Sequence, residues 1–371
     1  MSKFRDKVLL IIFIAFLFSA PAGLFLLPKA QISVNEKRTL AKAPELSVKN
    51  VLSGKFEKDT ETYLTDHFPL RDGLTAVNAY TALYTGRNGA NGVYRGEDGY
   101  LIGVPVKADY NKINANIAAM TEFTQNTGIP STLMIVPSKG YIMSDKLPKN
   151  HMEYRDSEII DYVHKESEAV IGYADVEKAF LKDKDEVQLY YRTDHHWTEN
   201  GAYNAYVEYC KEIGYEPLWE FDKTAYDGFY GTAYSKSALW RERADTIELW
   251  DYPYDVTMNI DGEENVSSRM FFMHHLSEPD KYPVYLDGNH AIEEIINNGN
   301  PDGDKLLVIK DSFAQCFVPF LVNHYSEVDM VDLRYYHESV SELAKEKGYD
   351  RVLFLYGISS IAESSDIATL E

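Results

Sequence analysis

Cysteine is scarce in this chain: two among 371 residues, Cys210 and Cys316. So few thiols exclude a disulfide framework; of the two readings left, one bridge or two buried free thiols, the second is favoured. Positive charge is also short, 37 Lys and Arg against 58 Asp and Glu, for a net charge of -21. A surface of that sign repels phosphate backbones and excludes nucleic acid as a partner. Internal repeats and low-complexity tracts are absent too, so the organisation is that of ordinary globular domains. The chain is long enough for one large domain or two smaller ones, with ample capacity for a buried core. The 28 tyrosines are the compositional excess, and such flat amphipathic rings suit sugar faces, interfaces and cores alike.

Only one apolar run is long. Lys3, Arg5 and Lys7 precede a nearly pure apolar stretch from Val8 to Leu27, close to the ~20 residues that span a bilayer. Basic residues ahead of such a run hold that end in the cytoplasm and place the remainder outside. Residues 1–30 are therefore expected to form a membrane anchor or signal segment, and the extension through Leu24 to Leu27 favours an uncleaved anchor. Residues 31–50, polar with scattered prolines, read as a linker.

Residues 51–371 are expected to form the extracytoplasmic domain. Its first part carries apolar positions at helical spacing, Phe56, Tyr63, Leu64 and Phe68, then Leu74, Val77 and Tyr80, with Pro69 breaking the pattern into two helices. "GVYRGEDGYLI" at 92–102 is a hairpin candidate. Helical and short buried-strand patterns then alternate: Ile113, Ile117, Met120 and Phe123 share a helical face closed by Gly128, and "STLMIVP" follows as a strand. The rhythm lapses between about 215 and 300, a Tyr-, Trp-, Asp- and Gly-dense stretch expected to be an irregular β-rich insertion. It resumes with "KLLVIKD", "EVDMVDL" and "RVLFLYG". The fold class is α/β, a largely parallel sheet covered by helices on both faces.

In such a sheet ligands sit beyond the carboxyl ends of the strands, which directs attention to four loops: "PSKG" at 137–140, "RTDHHW" at 192–197, "KDSFAQ" at 310–315 and "GISS" at 357–360. Three readings compete for Asp194, His195, His196 and Trp197: a metal site, an acid/base dyad, or a polar turn. Neighbouring histidine rings usually point apart, so a metal needs further ligands; a second pair, His274 and His275, keeps zinc open. An aspartate two positions before a histidine in extended backbone points to the same side and can hold the ring's second nitrogen. Thr198 is placed to cap the following helix. Ser312, between a buried strand and a helix, is either a nucleophile beside free helix-start amides or a helix-capping serine, and Asp311 reads as a cap. Arg192 is a candidate for substrate oxygen or for pairing with a carboxylate, Lys139 for an acyl oxygen, and Tyr230 with Gly231 for the wall of an acceptor groove. The further aspartate motifs of the "DHH" phosphoesterases are missing.

"TDHHWTENG", "VIKDSFA", "GVYRGEDGYLI" and "VPSKGYIMSDKLP" resemble the DHHW family, related to the SGNH-hydrolase-like alginate O-acetyltransferases, from roughly Glu36 to the end of the chain. The resemblance implies an SGNH-like fold with Asp194 as orienting acid, His196 as base, Trp197 as its packing neighbour at the substrate site, His195 as a pocket neighbour and Ser312 as nucleophile. It further implies a single-pass protein of a bacterial cell membrane that receives an acyl group from a membrane-bound O-acyltransferase and places it on a cell-surface polysaccharide, with no metal or nucleotide cofactor. Two features depart from the SGNH pattern: Lys310 stands where a glycine usually precedes the Asp-Ser pair, and the separate glycine and asparagine of the oxyanion hole have no evident counterpart. An esterase using the same residues, and a catalytically silent glycan-binding scaffold of an export complex, are the alternatives.

Overall fold

The computed structural model describes residues 2–371. They fall into two compact units, one of residues up to Asn91 with Ser235–Arg241, the other of Gly92–Tyr234 with Glu242–Glu371.

The first unit begins with a helix, Ser2–Leu26. Its apolar part, Phe4–Leu26, has 23 residues and at ~1.5 Å per residue is long enough for a bilayer's hydrocarbon core. The 31–50 segment departs from the expected linker. Ile32–Ser33 pairs antiparallel with Arg38–Thr39, and the Asp66 carboxylate accepts from the Ala41 N–H at 2.9 Å and from the Arg38 guanidinium. Arg71 adds an ion pair to Glu36 at 2.6 Å. These buried and half-buried polar contacts fasten the segment to the helices Lys55–Asp66 and Arg71–Tyr84, which meet across Pro69 as the pattern predicted. The division between the compact units falls at 91/92, the two helices grouping with the N-terminal segment.

The second unit is built on an eight-stranded sheet. In spatial order its strands are Glu263–Ser267, Val256–Ile260, Ile292–Asn297, Tyr325–Val331, Asp304–Lys310, Arg351–Gly357, Ser131–Val136 and Gly172–Tyr173. The last five are mutually parallel and the first three antiparallel. Successive residues of the central strands point to opposite faces. Met134, Val136, Leu306, Val308, Leu353 and Leu355 bury one face, with Phe180, Ala205, Tyr209 and Phe317 from the helices covering it. Leu133, Ile135, Leu307, Ile309, Val352 and Phe354 bury the other, against Ile117, Phe123, Ile160, Val163 and Ala344. Burial on both faces is why these strands read as unbroken apolar runs.

The 215–300 stretch is more regular than expected. Asp222–Phe229 and Asp245–Asp251 form a hairpin, and three strands from within it extend the main sheet. Val256, Met258 and Ile260 are buried while Thr257 and Asn259 are half-exposed, an alternation typical of an antiparallel strand covered on one face and weaker as a sequence signal. Cys210 and Cys316 are both buried free thiols.

Candidate active site

The Asp304–Lys310 strand ends at the carboxyl edge of the sheet, and the helix Ala314–Leu321 starts four residues later. Between them Asp311 is pinned from two sides. Its Oδ1 accepts from the Phe313 N–H at 3.0 Å, closing a local turn, and its Oδ2 accepts from the Gly357 N–H at 2.8 Å and Ser360 Oγ at 2.7 Å. Ser312, half-buried, projects from this turn. Lys310 does not crowd it: its ammonium is turned toward Asn289 Oδ1 at 3.3 Å, Glu293 at 3.3 Å and Asp332 at 3.7 Å.

Residues 191–197 have almost no regular structure and are folded back on themselves. Tyr190 bridges to Trp197, the Tyr191 N–H reaches the His196 carbonyl at 3.3 Å, and the Thr198 N–H reaches Leu189 at 2.9 Å. Thr198 then caps the helix Glu199–Ile213 by accepting from the Gly201 N–H. A Cβ at Gly201 would lie 2.4 Å from the Leu189 carbonyl oxygen, so the close return of the chain requires glycine. The result is that Asp194 Oδ1 accepts from His196 Nδ1 at 2.6 Å and from the His196 backbone N–H at 2.8 Å. On the ring's other side, Ser312 Oγ lies 2.7 Å from His196 Nε2. The structure therefore joins Asp194, His196 and Ser312 in one chain of hydrogen bonds.

Electrostatics suit a base. Burial, reinforced by the neighbouring His195 charge, lowers the pKa of His196 from its ordinary value, with Asp194 pulling the other way. Burial alone would raise the Asp194 carboxyl, yet the adjacent His196 and His195 hold it well below the carboxylate range. The pair at neutral pH is thus a neutral imidazole against a fixed negative charge. The Tyr282 ring lies flat on the imidazole, 4.0 Å between centroids and 7° between planes, which fixes the ring's tilt.

The remaining predicted residues separate. His195 is half-exposed beside the dyad and shares its Nδ1 with Thr232 Oγ1 at 2.6 Å. Trp197 is fully buried, so it touches no substrate; its indole N–H donates to the Phe313 carbonyl at 3.1 Å and ties the histidine loop to the serine turn. Lys139 is also buried, and its ammonium donates to the carbonyls of Tyr191, Arg192 and Asp194 at 3.1, 3.1 and 2.6 Å. It holds the loop's backbone, which corrects the acyl-oxygen role expected of it. Burial pushes its pKa down to about 8, with Asp194 and Asp245 opposing. Arg192 reaches the Ala244 carbonyl and the buried Asp245, the pairing alternative of its two readings. Tyr230 packs on Tyr234, 4.2 Å between centroids.

Sequence reasoning passed over Asp245, Thr232 and Tyr282, and assigned Gly231 only a groove wall. Asp245 accepts from the Arg192 and Thr193 N–H groups and from Thr193 Oγ1. The Thr232 N–H donates to Asp194 Oδ2 at 2.6 Å. A Cβ at Gly231 would lie 2.1 Å from the Asp194 Cβ, so only glycine lets that segment pass. The signal was present in "FYGTAY" as a glycine followed by a capping-type residue, but its partner lies 37 positions away.

Asp194, His195 and His196 place ligand-type atoms close together, as do His274, His275 and Glu278. Both His196 ring nitrogens already serve Asp194 and Ser312, and both His275 nitrogens face the carboxylates of Glu278 and Asp287. A zinc ion at either place would have to displace those partners.

Comparison with known proteins places these features in context. The model of a family described as DHHW protein matches residues 98–331, a region that contains Asp194, His196 and Ser312. A probable alginate O-acetylase, AlgJ of Pseudomonas putida, is 25% identical over 184 residues, 47% of this chain and 48% of that one. The chain spans about half the length of the curated relatives it matches. Among solved structures, a DHHW family protein from Eubacterium siraeum has a TM-score of 0.65 at 24% identity, over 76% of this chain and 95% of that one. PatB1 of Bacillus cereus has 0.61 at 21%, over 72% and 97%. At these identities the structural likeness concerns the fold.

Proposed function

The chain belongs to the DHHW family, and from that premise we propose that it is an extracytoplasmic O-acyltransferase that moves an acyl group, acetyl in the simplest case, onto a cell-surface polysaccharide. The observation that carries the reading is the unbroken contact from Asp194 through His196 to Ser312, 2.6 and 2.7 Å. The curated relative named as a probable alginate O-acetylase supports the acetyl and polysaccharide parts.

His196 accepts the Ser312 proton as the oxygen attacks the donor carbonyl, and Asp194 stabilises the imidazolium. The Ser312 N–H, with no acceptor among the described residues, is available to the tetrahedral oxyanion. Collapse expels the donor's leaving oxygen, which takes the proton from His196, and leaves an acyl-Ser312 ester. A sugar hydroxyl then attacks that ester while His196 takes its proton; the second collapse returns the proton to Ser312 and releases the O-acylated glycan. His195 and Tyr230 flank the approach of donor or acceptor. The helix Phe4–Leu26, apolar from Val8 onward behind Lys3, Arg5 and Lys7, supports a single-pass anchor in a bacterial cell membrane, where a membrane-bound O-acyltransferase is the fitting acyl donor.

The test uses the full chain in detergent with an activated acetyl ester. One acetyl group is expected on Ser312 by intact mass and peptide mapping, absent in Ser312→Ala, and added polysaccharide should leave with it. Undiminished turnover in Ser312→Ala removes the proposal; release as free acetate, indifferent to glycan, makes the protein an esterase.

A further inference from the structure

The hairpin Asp222–Phe229/Asp245–Asp251 has a face that its own sheet leaves open. Thr224 is paired with Leu249, Tyr226 with Ile247 and Asp222 with Asp251; cross-strand partners share a face. Thr224, Tyr226, Leu249 and Asp251 line one side of a cavity of about 410 Å³, closed opposite by residues of 252–256 and 268–273. Its size lies within the ~300–1,000 Å³ typical of small-molecule sites. Leu249, Val256 and Met270 make a buried apolar floor, Tyr226, Tyr252 and Phe271 stand half-buried above it, and Asp251, Ser268 and Arg269 are exposed at the rim.

Some polar ends of this lining are uncommitted, while Asp251 Oδ1 accepts from the Tyr252 N–H at 2.9 Å. Among the described residues the hydroxyls of Tyr226 and Tyr252 and the guanidinium of Arg269 take part in no hydrogen bond or ion pair. Aromatic faces beside free hydroxyls, one carboxylate and one guanidinium match a pyranose ring, which offers an apolar C–H face and a girdle of hydroxyls. The cavity is also fixed relative to the nucleophile. Tyr254 in its wall donates to the Pro319 carbonyl at 2.6 Å, on the helix that follows Ser312. Tyr226 lies five positions before Gly231, the residue packed on Asp194, which at ~3.3 Å per strand residue is a span of at most about 17 Å.

We propose that this cavity is a glycan subsite that holds one or two pyranose rings of the acceptor strand, with ring faces on Tyr226 and Tyr252 and hydroxyls on Asp251 and Arg269, while a sugar further along the strand reaches Ser312. The assignment of the bound strand as acceptor rests on the acyltransferase reading; the binding itself does not. Full-chain Ser312→Ala protein in detergent is titrated calorimetrically with chitohexaose, cellohexaose and alginate hexasaccharide. At least one is expected to bind, and to bind about tenfold more weakly in Tyr226→Ala, Tyr252→Ala and the rim variant Arg269→Gln. Tyr226→Phe should retain most of the affinity. In the Ser312 parent, the same variants should raise KM for the glycan about tenfold with kcat nearly unchanged, and leave acetylation of Ser312 by the small ester at its original rate. No binding of any of the three at millimolar concentration, or binding that survives Tyr226→Ala/Tyr252→Ala in protein of unchanged melting temperature, overturns the subsite. Glycan binding that depends on these tyrosines in a protein whose Ser312 is never acetylated preserves the subsite and removes the acyltransferase.

Discussion

The serine and the histidine of the candidate site reach the same point by different physical routes. Ser312 stands in a strand-to-helix turn, and the regular elements on either side position it; one carboxylate next to it, Asp311, joins that turn to the next parallel strand through Gly357. His196 stands in a segment with few ladder partners. Many of its backbone groups meet partners from distant segments: the Lys139 side chain takes three carbonyls and that of Asp245 two amides, the Leu101 and Tyr234 N–H groups reach the Arg192 and Thr193 carbonyls, and the Thr232 N–H braces the Asp194 carboxylate. Buried backbone that cannot pair with backbone has to pair with something. A turn between regular elements positions Ser312 with one carboxylate tied to Gly357 and Ser360 after the next strand, whereas an irregular loop needs several buried polar groups delivered by the tertiary fold.

If that contrast holds, changes outside the histidine loop should damage activity more than changes beside the serine. The largest effect is expected for Gly231→Ala. The added Cβ, 2.1 Å from that of Asp194, must push the carboxylate off His196 Nδ1; loss of the orienting aspartate in a serine triad costs ~10⁴-fold, and a displaced one is expected to cost about a thousandfold in acetyl-ester turnover. A melting temperature near that of the parent would show that the loss is local. Next is Lys139→Met, which leaves the Tyr191 and Asp194 carbonyls without a donor and the Arg192 carbonyl with the Leu101 N–H alone. At ~1–3 kcal/mol for each unsatisfied group, partly relieved by relaxation, roughly 3 kcal/mol of stability should go, seen as a drop of about 5–10 °C in Tm, with turnover falling about a hundredfold. On the serine side Asp311→Asn breaks the bond to Gly357 but keeps the turn to Phe313, and about a tenfold loss is expected. Equal damage from Lys139→Met and Asp311→Asn would dissolve the distinction.

The same contrast explains what could be read in advance. The parallel strands announced themselves because burial on both faces demands unbroken apolar runs, as in "TLMIV" and "LLVI", and loops after such strands are few enough to search; Ser312 and Asp194 were legible on that basis. Thr198 was legible as a cap because capping is a local bond. Val256–Ile260 was hidden because its apolar residues alternate with Thr257 and Asn259 in a stretch that also carries turns. Lys139 was noticed but misassigned, since sequence tells that a lysine follows a strand and not that its stem folds inward to collect carbonyls. Asp245 and Gly231 carried no signal that distinguishes them from other acidic or turn residues; their meaning lies wholly in contacts made 38 to 53 positions away in the chain.

The smallest expected effect sharpens the comparison from inside the loop. In the proposed role of base His196 works only when neutral, so kcat/KM for an acetyl ester should rise with pH and level off once the ring has lost its proton. Burial and the adjacent His195 both press that proton off, Asp194 retains it, and the net shift is downward; the acid limb should therefore lie below the ordinary histidine value of about 6.5. His195→Gln removes one of the two pressures and leaves burial. The sign follows: with the like charge gone the protonated ring is less disfavoured, the folded-state pKa climbs, and the limb moves to higher pH. At pH 8 the base is neutral in both proteins, so the plateau should differ only a few-fold, through the lost contact with Thr232 Oγ1. A limb that moves to lower pH, or does not move, would mean that His195 influences the site through its bond to Thr232 and not through its charge, and the loop's geometry rather than its field would then set the base.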